Sequence, residues 1–240
     1  MNTARTATKA RAARKPATRT HATRQARGDR VEQILKTARD LFGEHGFERT
    51  TVADIAAHIG VVEGLVFKYF PTKRKLLLAV LGYWYDGLFG DYTRELEAFA
   101  GPRERLHYLI WRHLCTVRDY PRLCGLMFRE VLSAEHDYRG SPLHALNRRY
   151  TKLLVDTLQA GAVAGEFRTD IPPQLVRSLV YGGIEHQTSS YVASFIRHKS
   201  STADTPRKTP DVDQLADQIT SLLCDGLHPH LATAASETNP

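Results

Sequence analysis

The stretch FGEHGFERTTVADIAAHIGVVEGLVFKYFPTKRKLLLAVL, residues 42–81, is punctuated so closely that only short helices fit between its breaks. Thr51-Val-Ala-Asp54 is a variant capping box, a hydroxyl at the N-cap with a carboxylate three residues on, and it predicts the start of a helix. Val52, Ile55, Ala56 and Ile59 give that helix one apolar face, and Gly60 stops it. A further short helix is predicted from about Val62 to Phe70, where Pro71 breaks the chain and Thr72 caps the next helix. Ala56-x-x-x-Gly60 has the spacing of a helix-turn-helix. The small residue lets the second helix pack closely on the first, and the glycine supplies the positive φ of a tight turn. Alone, the pattern fits an ordinary helical hairpin as well.

Reading outward, Val31, Ile34, Leu35, Ala38, Leu41 and Phe42 fall on one face of a first helix, with Asp29 as its N-cap and Gly46 as its stop. On the other side, Leu77, Leu81, Trp84, Leu88, Tyr92, Leu96 and Phe99 predict a long fourth helix from Lys73 to Phe99. The fifth spans about Pro102–Arg118 and the sixth about Pro121–Ala134. Ser141-Pro142 opens the seventh, which runs to about Ala164, and Pro172-Pro173 opens the eighth, which runs to about His198. Residues 199–210 read as a loop, and Asp211-x-x-Gln214 caps a ninth helix that ends near Gly226. No strand pattern and no internal repeat is visible. The expected fold is all-α: a basic disordered tail (1–28), a three-helix head (29–72), a body of about six helices (73–230) and a flexible end (231–240).

At 240 residues with 42% hydrophobic and 25% charged residues, the chain can bury a substantial core. It has no apolar run long enough to span a membrane, so no membrane partner is expected. Three cysteines without a CxxC pair give no disulfide framework and fit a reducing cytoplasm. The net charge of +7 is unevenly spread. Residues 1–28 hold eight Lys/Arg and no acid, leaving 25 Lys/Arg against 26 Asp/Glu in the other 212 residues. Such a block reads either as a nucleic-acid arm or as a solvated tail. No GxSxG, P-loop, GxGxxG or HExxH occurs, and no cofactor, metal or catalytic residue is expected. His107 and His113, six apart, share a helix face poorly and read as structural.

Phe42, Gly46-Phe47, Thr50-Thr51-Val52, Ile55-Ala56, Gly60-Val61, Gly64, Phe67, Tyr69-Phe70, Lys73 and Leu76-Leu77 together resemble the DNA-binding head of the TetR family of bacterial regulators. The resemblance covers residues 30–81. It implies a homodimer whose third helices enter successive major grooves of a palindromic double-stranded operator, about 34 Å apart or a simple multiple. By position in the motif, Thr50 and Thr51 would meet phosphates at the second helix's N-terminus, and Lys68, Tyr69 and Lys73 would clamp the backbone. Gly64 would allow close approach, and Val62, Glu63 and Leu65 would face base edges. The family commonly has Ser, Lys and Thr where Val62, Glu63 and Leu65 stand, and Phe67 replaces a common Tyr, so several donors are lost. Glu63 can still accept from a cytosine amino group, and Leu65 can touch a thymine methyl. Residues 29–75 carry eight Lys/Arg and seven Asp/Glu, which leaves phosphate attraction for the basic tail to supply.

The resemblance also implies an effector cavity inside the body. Trp84, Trp111, Met127, Phe128 and Tyr150 are the expected lining, with Arg112, His113, Arg129 or His186 at a polar end. Each fits a filled core equally well. Helices eight and nine would form the dimer interface through Leu179, Gly182, Gly183, Leu215, Ile219 and Leu222, unless the glycines pack within the chain. The expected function is a dimeric repressor released by a small apolar or amphipathic effector. Three alternatives stand beside it: an activator or corepressor-dependent regulator of the same fold, a helical interaction module that no longer reads DNA, and, more remotely, an enzyme.

Overall fold

The computed structural model describes residues 17–132, 142–196 and 209–227. Among the described residues there are nine α-helices and no strand: α1 (Ala17–His45), α2 (Val52–His58), α3 (Glu63–Tyr69), α4 (Lys73–Leu96), α5 (Pro102–Asp119), α6 (Pro121–Leu132), α7 (Pro142–Val163), α8 (Pro173–Ile196) and α9 (Val212–Gly226). The expected ends of helices six and eight, most of the 199–210 loop, residues 1–16 of the tail and the segment 231–240 lie outside the described residues. None of the described helices is long and apolar enough to cross a membrane.

The first helix corrects the sequence reading. It starts at Ala17, twelve residues before Asp29, so residues 17–28 are helical rather than tail. Nothing in the chain between Pro16 and Pro71 forbids this, because the added turns consist of Ala, Arg, Thr, Gln and His with one glycine. Asp29 therefore caps nothing and sits mid-helix, where it accepts from Gln25 Nε2 at 3.5 Å. Gly46 ends α1 at φ +85°, the left-handed conformation that a Cβ disfavours.

The caps at Thr51, Thr72 and Asp211 agree with the sequence, and the expected cap at Ser141 lies outside the described residues. Thr51 Oγ1 accepts from the Asp54 N–H at 3.0 Å, and the Asp54 carboxylate accepts from the Thr51 N–H at 2.8 Å, a complete capping box. Gly60, at φ +67°, turns the chain between α2 and α3. Thr72 Oγ1 accepts from Lys75 N–H at 3.1 Å to start α4, and Asp211 does the same for α9 through Gln214 N–H at 3.0 Å. α4 ends at Leu96 rather than Phe99, because Glu97, Ala98 and Phe99 each donate to the carbonyl three residues back and tighten the chain.

α1 packs on α2, α4 and α6, and α2 on α3, which makes the head. In the body, α5 is the central rod, with α4, α6, α7, α8 and α9 packed around it. On α5, Leu106, Leu109, Ile110 and Leu114 are buried on one side and Tyr108 and Cys115 on another. One hydrophobic core runs from Ile34 through Leu81 and Leu114 to Ile184, so head and body share a continuous interior. Two close approaches depend on glycine. A Cβ on Gly125 of α6 would come within 2.4 Å of Ile196 of α8, and one on Gly161 of α7 within 2.2 Å of Phe167.

Candidate DNA-reading head and effector cluster

The head presents α3 outward. Val62 is 76% exposed and Phe67 40% exposed, and Glu63, Gly64 and Lys68 are exposed beside them. A Cβ on Gly64 would meet nothing within 4 Å, so the glycine keeps a bare strip of backbone open to an approaching surface. Val66 is buried, and Leu65 is half-buried against the head rather than standing fully outward. Val62 occupies the N-cap without a side-chain hydrogen bond, and Glu63 puts a carboxylate in the first turn. That carboxylate suits the helix dipole but repels phosphate.

The two threonines divide their work. Thr51 is exposed; its oxygen accepts from Asp54 N–H, leaving the hydroxyl proton for an outside acceptor. The hydrogen bond from Thr51 N–H also holds the Asp54 carboxyl below its usual range. Thr50 does not reach the surface. It is 1% exposed, and its hydroxyl faces the carbonyls of Leu41 (3.2 Å) and Gly46 (2.9 Å). It locks the end of α1 and is removed from the phosphate contacts, because its buried hydroxyl donor is taken up by carbonyls of that last turn. Thr50→Val, nearly isosteric, is expected to cost about 1 kcal/mol through the lost hydroxyl hydrogen bond, read as a lower urea midpoint with an unchanged m-value.

Lys73 is anchored rather than extended. Its Nζ donates to Glu48 O at 3.3 Å and lies 4.3 Å from the centre of the Phe47 ring, which leaves two of its three N–H donors to point elsewhere. Tyr69 is half-buried, and the Arg27 guanidinium lies 5.8 Å over its ring.

α6 is tied to the head through Arg122 and to the start of α4 through Glu130. Arg122 Nη1 donates to Gly43 O (2.9 Å) and Glu44 O (2.7 Å) in the last turn of α1, while its Nε donates to Phe195 O of α8 (3.2 Å). Arg74 at the start of α4 reaches Glu130 of α6 at 3.1 Å, and Glu130 is only 7% exposed.

Inside the body, the expected lining residues separate. Trp84, Met127 and Tyr150 are buried, at 6%, 1% and 2% exposure. Phe128 is half-buried. Trp111 is not a lining residue, because its indole N–H donates to Asp213 at 2.7 Å and holds α9 on α5. Arg129 and His186 are exposed. Arg112 turns to Glu95 at 3.1 Å and covers the Tyr92 ring at 5.1 Å. Of the four candidates for a polar end, only His113 is fully inside.

His113 is the centre of a cluster that hydrophobic patterning does not mark. Its Nδ1 lies 2.8 Å from Tyr150 Oη, and the Tyr181 ring packs edge-on against it at 4.8 Å. Tyr150 in turn touches Tyr85 and Tyr92, each at 5.2 Å between ring centres. Tyr92 Oη donates to Arg112 O at 2.8 Å. Burial alone drives the His113 pKa down to about 4, so the ring is neutral at pH 7. Burial also pushes Tyr92 up to about 12 and Tyr150 well above the ordinary phenol value. The cluster is therefore uncharged and offers only neutral donors and acceptors.

α8 has one open side. Leu175, Leu179, Gly182, Gly183, His186 and Ser190 fall within about 100° of one another at 3.6 residues per turn, and all are exposed, Leu179 at 61%. Among the described residues, a Cβ on Gly182 or Gly183 would meet nothing within 4 Å, so the paired glycines serve no packing between the described elements. On α9, Leu222 is 75% exposed, whereas Leu215 and Ile219 are half-buried and packed against the chain's own core.

The family described as bacterial regulatory proteins, tetR family, matches residues 34–80, and a tetracyclin repressor-like C-terminal domain matches residues 100–188. The chain is similar to the HTH-type transcriptional repressor KstR2 of Rhodococcus jostii, 27% identical over 202 residues, covering 84% of this chain and 93% of that one. Among solved structures, the ketosteroid transcriptional regulator KstR2 of Mycobacterium tuberculosis aligns with a TM-score of 0.55 at 25% identity, covering 83% of this chain and 95% of that one. The regulator FadR from Bacillus subtilis, solved with stearoyl-CoA, shares the fold with a TM-score of 0.65 at 20% identity, covering 82% of this chain and 99% of that one.

Proposed function

The chain belongs to the TetR family of bacterial transcriptional regulators, and we propose that it is a homodimeric repressor that reads a palindromic operator with α3 and leaves it when a small effector binds the body. One observation carries the reading: α3 turns Val62, Glu63, Gly64, Phe67 and Lys68 outward, on a head whose capping box leaves the Thr51 hydroxyl free to donate. The open face of α8 supports pairing of two chains through Leu175, Leu179 and the glycine pair. Paired glycines mid-helix cost about 1 kcal/mol each against Ala unless another backbone comes close.

The effector is apolar or amphipathic and meets Tyr85, Tyr92, His113, Tyr150 and Tyr181. An uncharged His–Tyr pair suits a neutral oxygen, a hydroxyl or carbonyl, better than a carboxylate, whose burial without a cation would be costly. The ketosteroid regulator among the relatives fits such a ligand. Binding shifts the population toward a body in which Arg122 and the Arg74–Glu130 pair hold the heads at a spacing unsuited to adjacent half-sites.

The uncapped Val62 and acidic Glu63 favour a second reading, an interaction module without sequence preference. Selection from random duplex DNA at moderate salt separates the two. A retained palindrome is expected; persistently random sequence would hand the function to the second reading. Reporter expression with the palindrome upstream then distinguishes repressor from activator.

A further inference from the structure

We propose that the cleft where the first turn of α5 faces the last turns of α9 is a second small-molecule site, which takes a zwitterion of the amino-acid class with an apolar side chain. The cleft shares no residue with the tyrosine cluster around His113, so the inference stands apart from the proposed effector.

α5 and α9 run antiparallel and are laced turn by turn. Trp111 donates to Asp213, and one turn nearer the start of α5 His107 Nε2 lies 2.9 Å from Asp217 Oδ1. The next turn brings Arg103 and Glu104 opposite Thr220 and Ser221, and among the described residues no hydrogen bond crosses there. The helices leave instead a cleft of about 490 Å³, with Phe99 in its wall. That volume lies within the range of about 300–1,000 Å³ usual for small-molecule sites. At 100° per residue, Thr220 and Ser221 stand about 100° or more from Leu222, so the cleft is not on the side of α9 that Leu222 presents.

Thr220 has no partner for its hydroxyl. It is 4% exposed, and its Oγ1 is unbonded among the described residues. The other buried threonines inside helices, Thr116, Thr157 and Thr188, each donate to the carbonyl four residues back, at 3.0, 2.9 and 2.8 Å. A buried hydroxyl left unpaired costs stability. Threonine in a helix divides between two χ1 wells, so one rotation exchanges its methyl and hydroxyl at the cleft wall.

The lining also leaves one charge of each sign unpaired. Asp217 is taken by His107. Arg103 makes no ion pair or hydrogen bond among the described residues. Burial raises the Cys224 thiol and the Arg103 guanidinium offsets part of the rise, which sets that guanidinium beside α9. Glu104 makes no ion pair either and receives only the Gly101 N–H, at 3.4 Å. A simple anion would gain Arg103 and be repelled by Glu104, and a simple cation the reverse. A ligand with both charges a short distance apart gains from each. The Thr220 hydroxyl then donates to its carboxylate, and Phe99 faces its apolar side chain.

Ligand-observed NMR titrations of the full chain with L-phenylalanine test the site. The comparators are 3-phenylpropanoate, which lacks the ammonium, and phenethylamine, which lacks the carboxylate. Saturable binding of phenylalanine is expected with a Kd on the order of 1 mM, about tenfold tighter than either comparator. R103Q and T220V should each weaken it about tenfold. E104Q should remove the advantage over 3-phenylpropanoate, and R94Q, a charge control on the exposed side of α4, should match the parent. Without ligand, T220V should unfold at a urea midpoint at or above the parent's, because it removes an unpaired hydroxyl. No saturation by about 10 mM phenylalanine, or equal binding of the comparators, overturns the inference. So does binding that R103Q and T220V leave unchanged, because the amino acid then sits elsewhere. A lowered midpoint in T220V overturns it as well, since the hydroxyl then serves the fold.

Discussion

A variant carrying Leu175→Glu and Leu179→Glu is expected to bind the operator about 10²–10⁴-fold more weakly while staying folded. Both side chains are exposed, on the side of α8 where a Cβ on Gly182 or Gly183 would also meet nothing among the described residues. Surface substitutions of this kind change stability by about 0.5 kcal/mol or less when nothing within the chain depends on them. Four new carboxylates facing one another across a two-fold axis, however, would repel in a desolvated seam. Separated heads lose the effective concentration that makes the second half-site an intramolecular partner, and the expected fold-change is the size of that loss. Sedimentation should report a monomer, and circular dichroism at 222 nm should report an unaltered helix content. A dimer that still binds would move the seam off α8, with Leu222 of α9 the next surface to test.

Acid should destabilise the protein through His113. Its pKa is near 4 in the folded chain against an ordinary value of 6.5, so the unfolded chain takes up a proton in a range where the folded one does not. The contribution of the neutral ring is complete above about pH 6.5, declines as pH falls and stops declining below about pH 4. At about 1.4 kcal/mol per unit, the total loss is about 3 kcal/mol, of which about 2 kcal/mol is lost by pH 5. Urea titrations at pH 7 and pH 5 on the parent and on His113→Gln isolate this contribution, since other titrating groups are common to both. Gln retains a donor and an acceptor for Tyr150 but cannot titrate. An identical pH 7-to-5 loss in both proteins would show that His113 is solvated and not sealed within the tyrosine cluster.

The fold is largely legible because it is written in local chemistry. Thr51 with Asp54, Thr72, Asp211, Gly46 and Gly60 act within a few residues of where they stand, and the helices end accordingly. The start of α1 is harder to read for a related reason. Asp29 resembles a cap, but a cap matters only where a helix must begin, and the Ala- and Arg-rich stretch before it permits helix. The sites are less legible because they depend on contacts distant in sequence. Nothing near Thr50 announces that its hydroxyl belongs to the carbonyls of Leu41 and Gly46. Trp111 looks like cavity lining until Asp213, 102 residues away, takes its N–H. His113 and Tyr150 are 37 residues apart, on different helices, and no periodicity pairs them. Leu215 and Ile219 share an apolar stripe with Leu222, yet α5 covers part of it and leaves Leu222 outside.

Arg122 grips the last turn of α1 with one nitrogen and the far end of α8 with another. With α8 as the seam, the bearing of each head about the two-fold axis is inherited from the helix that pairs the subunits. Base preference and half-site spacing then belong to different parts of the molecule. A chimaera given the first 72 residues of a relative would acquire that relative's half-site sequence and keep its own distance between half-sites. Operators for such hybrids would have to be composed, with letters from one parent and interval from the other.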